Sequence, residues 1–200
     1  MVVKILVTGF GPFGEWAENP TQLAVAKLGT AADPNVATHV FQTSYVEVQR
    51  DLPVVLDEVH PDCVLALGLA GSSETVRLEE RAHNASHSGA QDVMGLVHDG
   101  EIQPGAPEFL SSTLPLDGLE TLLAAGGVAV SRSVDAGGYL CNFVFYLLQH
   151  HATRLGIERT GFVHLPDAGH YRQIHGSNFD TFEVVSLLVD ALVGRTGTPR

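Results

Sequence analysis

Cys141 stands at the end of Ala136-Gly137-Gly138-Tyr139-Leu140-Cys141, a glycine-rich turn that runs into a long helical pattern. The spacing places its thiol in the first helical turn, where backbone N–H groups lack intrahelical partners and favour negative charge. Such a position is expected to lower a thiol's pKa and make the reactive thiolate available near neutrality. The same N–H groups can hold the oxyanion that develops on an attacked carbonyl. That is the chemistry of a cysteine hydrolase. Free cysteine is also among the most buried residue types, so simple packing is the competing reading of Cys141. Cys63 lies inside an apolar strand and is expected to be core.

A thiol nucleophile needs a general base, usually histidine, and a group to orient it. Of the ten histidines, His164 is distinctive because it ends the apolar run Gly161-Phe162-Val163-His164-Leu165-Pro166. That placement would present it at the rim of a sheet beside Cys141. The alternative is a half-buried sheet histidine bonded to backbone. The orienting acid could be Glu79 or Glu80, both near the end of a strand, where a charge needs a partner. Spacing alone does not separate the two.

The elements that must position these groups alternate along the chain. Val2–Thr8, Val36–Thr43, Asp62–Gly68, Val76–Ala82, Val128–Ser131 and Thr160–Leu165 read as strands. Asn19-Pro20 looks like an N-cap with Pro at the first helical position, opening a helix to about Leu28. Further helical patterns cover Val46–His60, with Pro53 a weak point, Gly118–Ala125, Tyr139–Leu155 with Gly156 as its stop, and Phe182–Val193. Asn84–Pro107 is a long segment rich in Gly, Ser, His and Asp, and loops of that length are usually functional or mobile. The expected fold class is α/β: a single-domain, three-layer α/β/α sandwich with a mostly parallel twisted sheet. Residues 1–193 would form one catalytic domain and 194–200 a flexible tail. In such sheets sites form at the carboxyl ends of strands. That rule gathers Gly9–Asn19, Leu69–Ser72, the segment before Cys141 and His164 at one rim.

Bulk properties narrow the class. The 200 residues suit one domain, and 44% hydrophobic with 17% charged residues is ordinary for a globular enzyme. A net charge of -12 argues against a nucleic-acid partner. Two widely separated cysteines make neither a disulfide framework nor a thiolate metal cage, and a reducing compartment fits them better. The short apolar start, interrupted by Lys4, reads as a strand rather than a signal peptide. No apolar stretch reaches the roughly 18 residues of a membrane span. A cytoplasmic protein without membrane contact is expected.

Two other signals compete. Gly9-Phe10-Gly11-Pro12-Phe13-Gly14 matches G-x-G-x-x-G after a strand, the mark of dinucleotide binding. That motif should open straight into a helix whose N–H groups hold pyrophosphate. Here Pro12 removes an N–H, two phenylalanines crowd the turn, and the helix waits until Pro20. The segment is better read as a pocket wall, with Phe10 and Phe13 facing a small ligand, or as two core aromatics under a turn. Metal binding is the second signal: His83 and His87 stand four apart, and His164, His170 and His175 cluster in sequence. The first pair lies in an irregular segment and the later group is expected to lack a helical frame. No metal and no cofactor are therefore assigned.

Three segments together resemble the pyroglutamyl peptidase I family, also called pyrrolidone carboxyl peptidases, from the start of the chain to about Pro166. They are Thr8-Gly9-Phe10-Gly11-Pro12-Phe13-Gly14 with Asn19-Pro20; Glu79 with Ala82 and Asn84; and Ser133, Ala136-Gly137, Cys141-Asn142 and Phe145-Tyr146, followed by Gly161-Phe162, His164 and Pro166. The resemblance implies a cysteine peptidase that removes an N-terminal pyroglutamyl (5-oxoprolyl) residue through an acyl-enzyme. It implies a triad of Cys141, His164 and Glu79, with Glu80 where the family usually has arginine. It implies that Phe10 and Phe13 sandwich the lactam ring, that Asn19 shapes the pocket, and that backbone near Leu69 and Leu140 bonds the lactam. Tyr139 stands at the family's aromatic before the nucleophile. The resemblance also implies assembly as a homo-tetramer or homo-dimer. The chain departs from the family at Ala85-Ser86-His87-Ser88-Gly89-Ala90-Gln91-Asp92, where an arginine near the site is gone, and at Leu69, where glutamine is common. Three other readings stay open: a catalytically weakened homologue that binds a small amide, motivated by the missing arginine; a hydrolase of a different small amide; and, from the glycine motif, a dinucleotide-dependent oxidoreductase.

Overall fold

The computed structural model describes residues 3–31 and 33–195. Its central sheet has six strands in the order β2-β1-β3-β8-β4-β7. These are β1 (Ile5–Phe10), β2 (Val36–Phe41), β3 (Cys63–Ala70), β4 (Val76–Glu79), β7 (Val130–Ser133) and β8 (Arg159–Pro166). Every neighbouring pair is parallel except β4 with β8. The apolar runs of β1, β3 and β8 are buried on both faces, which is why they carry no polar alternation. Val2, the first residue of the expected strand, and residues 196–200 of the expected tail lie outside the described residues. Arg195, nominally within that tail, pairs with Asp33 and Asp190.

Helices α1 (Pro20–Thr30), α3 (Leu116–Ala125), α5 (Ala168–His175) and α6 (Thr181–Leu192) lie on one face of the sheet, packed with Ile5, Val7, Leu65, Leu78 and Val163. Helices α2 (Tyr45–Val59) and α4 (Leu140–Leu155) cover the other, packed with Leu6, Val64, Ala66 and Phe162. The side-chain period of two along a strand sorts these residues between the layers. His164 therefore shares the face of Phe162, under α4, and its ring lies 4.8 Å from that of Phe162.

Three expectations need correcting. The strand expected over Val76–Ala82 divides: β4 ends at Glu79, Glu80 bonds to Ser133 and Ser112, and β5 (Arg81–His83) leaves to pair with β6 (Phe109–Ser111) in a second, two-stranded sheet. Pro53 does not interrupt α2, because burial of Val48, Leu52, Val55 and Leu56 along one side outweighs the lost backbone bond. The later histidines do have a helical frame: α5 carries His170 and His175, with Asp167 capping its start. They lie on the face opposite His164, so the three do not converge, and no group of three potential metal ligands occurs among the described residues. None of the helices described is long and apolar enough to cross a membrane.

Asn84–Pro107 contains no helix or regular strand, yet it is fastened at defined points. The Asn84 side chain accepts from the Ile102 and Gln103 N–H groups and donates to the Gln103 and Ala106 carbonyls. The Asp92 carboxylate accepts from the Tyr45, Met94 and Leu96 N–H groups. Side chains here supply what a β-ladder supplies elsewhere.

Candidate active site

At the carboxyl rim of the sheet a cavity of about 190 Å³ is lined by Phe10, Phe13, Asn19, Thr43, Leu69, Ala136, Tyr139, Leu140, Cys141 and His164. Every residue anticipated for the substrate pocket lies in this wall, together with the thiol and the imidazole. Thr43 was not among them, although it lies two residues beyond the end of β2 at the same rim, and Ala136 opens the segment before Cys141 that the rim rule gathers.

Each part is held by its local sequence. Phe10 ends β1 and is buried at 4% exposure. The chain then turns through Gly11–Glu18, where Phe13 and Trp16 bond to each other's backbone. Asn19, fully buried, ends this turn and caps α1: its Oδ1 accepts from the Thr21 N–H, and its Nδ2 donates to the Gly11 carbonyl at 3.0 Å. Thr43 donates to the same carbonyl. The glycine-rich segment is thus tied down as a pocket wall, and α1 begins only at Pro20.

Cys141 is the second residue of α4, with Tyr139 as N-cap in extended conformation. The first intrahelical bond is from the Phe143 N–H to the Tyr139 carbonyl, so the N–H groups of Leu140, Cys141 and Asn142 precede it. Gly137 takes φ +84°, and at Gly138 a Cβ would meet the Ser88 nitrogen at 3.0 Å, because the Asn84–Pro107 segment passes directly over the turn. Asn142 anchors the helix start from behind, donating to the carbonyls of His83 and Ala85 and accepting from the His83 N–H. The Tyr139 hydroxyl donates to the Gln91 carbonyl.

Gly68 lies opposite His164 in the β3–β8 register. A Cβ there would come within 2.7 Å of Phe162 and 2.9 Å of the Cys141 sulfur. The glycine is what leaves room for the thiol against the sheet. Gly68→Ala is expected to displace the sulfur and lower kcat by about 100-fold, the cost of misplacing a reacting atom by about 1 Å. Overpacking should also cost about 1–3 kcal/mol of stability. Paired steady-state kinetics and thermal melts check both, with KM nearly unchanged.

His164 is 3% exposed, and its Nδ1 lies 2.7 Å from Oε1 of Glu79, which is fully buried. The register explains the contact: β4 runs antiparallel to β8 with Arg77 opposite His164 and Glu79 opposite Phe162. Leu78 faces the other layer, so Arg77 and Glu79 share the face of His164. Glu80 points elsewhere, with its side chain 42% exposed and 4.0 Å from Arg132. Of the two acids that spacing left open, Glu79 is the one beside the imidazole. Arg77 was not singled out from the sequence, although it stands two residues before Glu79 and the strand period puts both on one face.

The electrostatics depart from one expectation. The helix start was expected to depress the Cys141 thiol. Instead burial pushes it up to about 12, with Glu79 acting in the same direction and Arg77 against it. His164 is held below its ordinary value, first by burial, against the opposing pull of Glu79 and with a contribution from Arg77. Both shifts favour a neutral thiol–imidazole pair at neutral pH over a preformed thiolate–imidazolium pair. Cys63 is fully buried in β3, and burial pushes its thiol up to about 12 as well.

Known proteins resemble the chain over most of its length. The family described as pyroglutamyl peptidase matches residues 3–189. A pyrrolidone-carboxylate peptidase of Pyrococcus furiosus is 35% identical over 168 residues, covering 82% of this chain and 81% of that protein. The human pyroglutamyl-peptidase 1 is 33% identical over 172 residues, covering 82% and 79%. Among solved structures, a mutant pyrrolidone carboxyl peptidase from P. furiosus superposes with a TM-score of 0.85 at 29% identity, covering 96% of this chain and 98% of that one. The pyrrolidone carboxyl peptidase from Thermococcus litoralis superposes with a TM-score of 0.85 at 27% identity, covering 96% and 94%. A family match over nearly the whole chain, relatives above 30% identity and the shared α/β fold lead to one assignment: the chain belongs to the pyroglutamyl peptidase family.

Proposed function

We propose that this protein is a cysteine peptidase that removes an N-terminal pyroglutamyl residue from peptides, with Cys141, His164 and Glu79 as its triad. One observation carries the reading: the thiol at the start of α4 and the imidazole at the end of β8 stand in the wall of a single small, largely apolar cavity. About 190 Å³ is below the roughly 300–1,000 Å³ of drug-sized pockets, and it suits one small ring. A 5-oxoproline lactam carries no ammonium, so it needs apolar walls and a few aimed hydrogen bonds rather than a carboxylate anchor. Phe10 and Phe13 supply walls; Asn19 fixes the turn that holds them; Tyr139 and the backbone at Leu69 and Leu140 border the ring.

In the reaction the Cys141 sulfur bonds to the carbonyl carbon joining pyroglutamate to the next residue, and its proton passes to Nε2 of His164. The N–H groups at the start of α4 stabilise the oxyanion; one such donor is worth roughly 3 kcal/mol. The imidazolium returns the proton to the leaving amine as the C–N bond breaks. Water, deprotonated by His164, then cleaves the thioester and releases pyroglutamate, and the thiol regains its proton. Glu79 accepts from Nδ1 throughout, fixing the tautomer and stabilising the imidazolium. One domain over residues 1–193, a cytoplasmic setting and assembly as a homo-dimer or homo-tetramer belong to the same reading; two unpaired cysteines support the reducing compartment.

The test is direct. Purified protein should release a chromophore from a pyroglutamyl amide, and thiol alkylation should stop it. Stoichiometric binding of the amide without turnover would instead favour a binding homologue, and turnover only of other amides would reassign the substrate.

A further inference from the structure

Arg77 has no part in the triad, yet its guanidinium lies between two of its members. Nη2 is 3.2 Å from His164 Nδ1, and Nε is 3.3 Å from Glu79 Oε1. Its side chain is 32% exposed, whereas that of Glu79 is 0% exposed. The Glu79 Oε2 atom has no hydrogen-bond partner among the described residues, so its charge is met at Oε1 alone. A buried carboxylate needs a countercharge. When His164 is neutral, as its surroundings favour, the imidazole supplies none, and Arg77 is the cation at hand.

Nδ1 can donate to Glu79 or accept from Arg77, but not both at once. The contact to the carboxylate is the shorter, 2.7 Å against 3.2 Å, so Nδ1–H is directed to Glu79. Arg77 then acts through its charge on the carboxylate rather than through a bond to the ring. We propose that Arg77 is a positioning residue of the reaction: it is the standing countercharge that keeps Glu79 an acceptor for Nδ1–H, and so keeps Nε2 of His164 free toward Cys141. The inference rests on the peptidase reading above.

The charged and titratable groups around His164 are Glu79 and Arg77 from β4, Cys141 from α4 and Asp135 from the segment before α4; β3 places only Gly68 opposite it. Among these Arg77 is the only fixed positive charge. Its removal should let both the imidazole and the thiol titrate higher. The experiment compares wild type, Arg77→Met and Arg77→Lys in two readouts: the pH profile of kcat/KM on a pyroglutamyl amide, and the rate of iodoacetamide alkylation at Cys141 followed by peptide mass. In Arg77→Met the acid limb is expected to move up by about one pH unit, and alkylation at fixed pH to slow several-fold. Arg77→Lys should recover at least half of both changes. An Arg77→Met profile that overlays wild type, even with a uniformly lower rate, overturns the proposal and leaves Arg77 structural. A lysine variant displaced as far as the methionine variant overturns it too, because charge would not be the cause. If wild type turns over no pyroglutamyl amide, the peptidase reading fails, while the alkylation arm still reads the charge at the site.

Discussion

Serine in place of Cys141 is expected to reduce turnover of a pyroglutamyl amide by at least about 10⁴-fold, the scale on which triads lose activity when the nucleophile is removed. The hydroxyl fills nearly the same space, so the fold should be unchanged and the substrate should still bind. The loss is chemical. His164 is held below its ordinary value, first by its burial, and so is a weak base. A weak base can take a proton from a thiol far more readily than from an alcohol. Isothermal titration with the uncleaved amide separates the effects: binding should persist while release disappears. Retained turnover in Cys141→Ser would remove the thiol from the mechanism altogether.

The second large effect concerns the acid. Glu79→Gln is expected to lower kcat by about 10²–10⁴-fold; in a serine-hydrolase triad the corresponding acid-to-amide change costs about 10⁴ by trapping the wrong tautomer. The reasoning transfers because the Glu79 carboxylate lies 2.7 Å from Nδ1 in a fully buried position. An amide there can present its N–H₂ to Nδ1, which turns the ring's proton to Nε2 and blocks it as a base. Glu80→Gln is the internal control. That side chain sits at the surface beside Arg132, and the change should leave kcat within about twofold of wild type. A reversal of the two phenotypes would show that the acid lies one residue further along.

Much of the fold was legible because its physics is local. Mainly apolar runs at Ile5–Phe10, Cys63–Ala70 and Gly161–Pro166, short and bounded by turn residues, read as strands covered on both faces, and Asn19-Pro20 and Gly156 mark helix ends by their own chemistry. What escaped was short or polar. Strands β5 and β6 have three residues each, and α5 buries only Tyr171, so neither writes a clear period into the sequence. At the site, the rim rule alone gathers Phe10, Leu69, His164 and the segment that leads into Cys141. The choice between Glu79 and Glu80 needed either family resemblance or the sheet register, since adjacent residues differ only in the face they take. The thiol shows the sharpest limit. Sequence places Cys141 at a helix start, a favourable place for negative charge, but the depth of the sulfur beneath Gly68 is a tertiary quantity, and burial is the larger effect.

The reversed strand β4 has a consequence for how this protein can change over generations. Acid and cation stand two residues apart on one strand, and their partner histidine is fixed opposite by the ladder. A slip of one residue would carry Glu79 and Arg77 together to the far face. They are kept or lost as a unit, whereas the segment from Asn84 to Pro107 that crosses the helix start is fastened by side chains and lies outside the ladder. Drift in that segment reaches the thiol only through the helix start that it braces at Gly138, Tyr139 and Asn142, whereas acid and cation move only with the strand register, so nucleophile and acid–cation pair are exposed to change through physically separate parts of the chain.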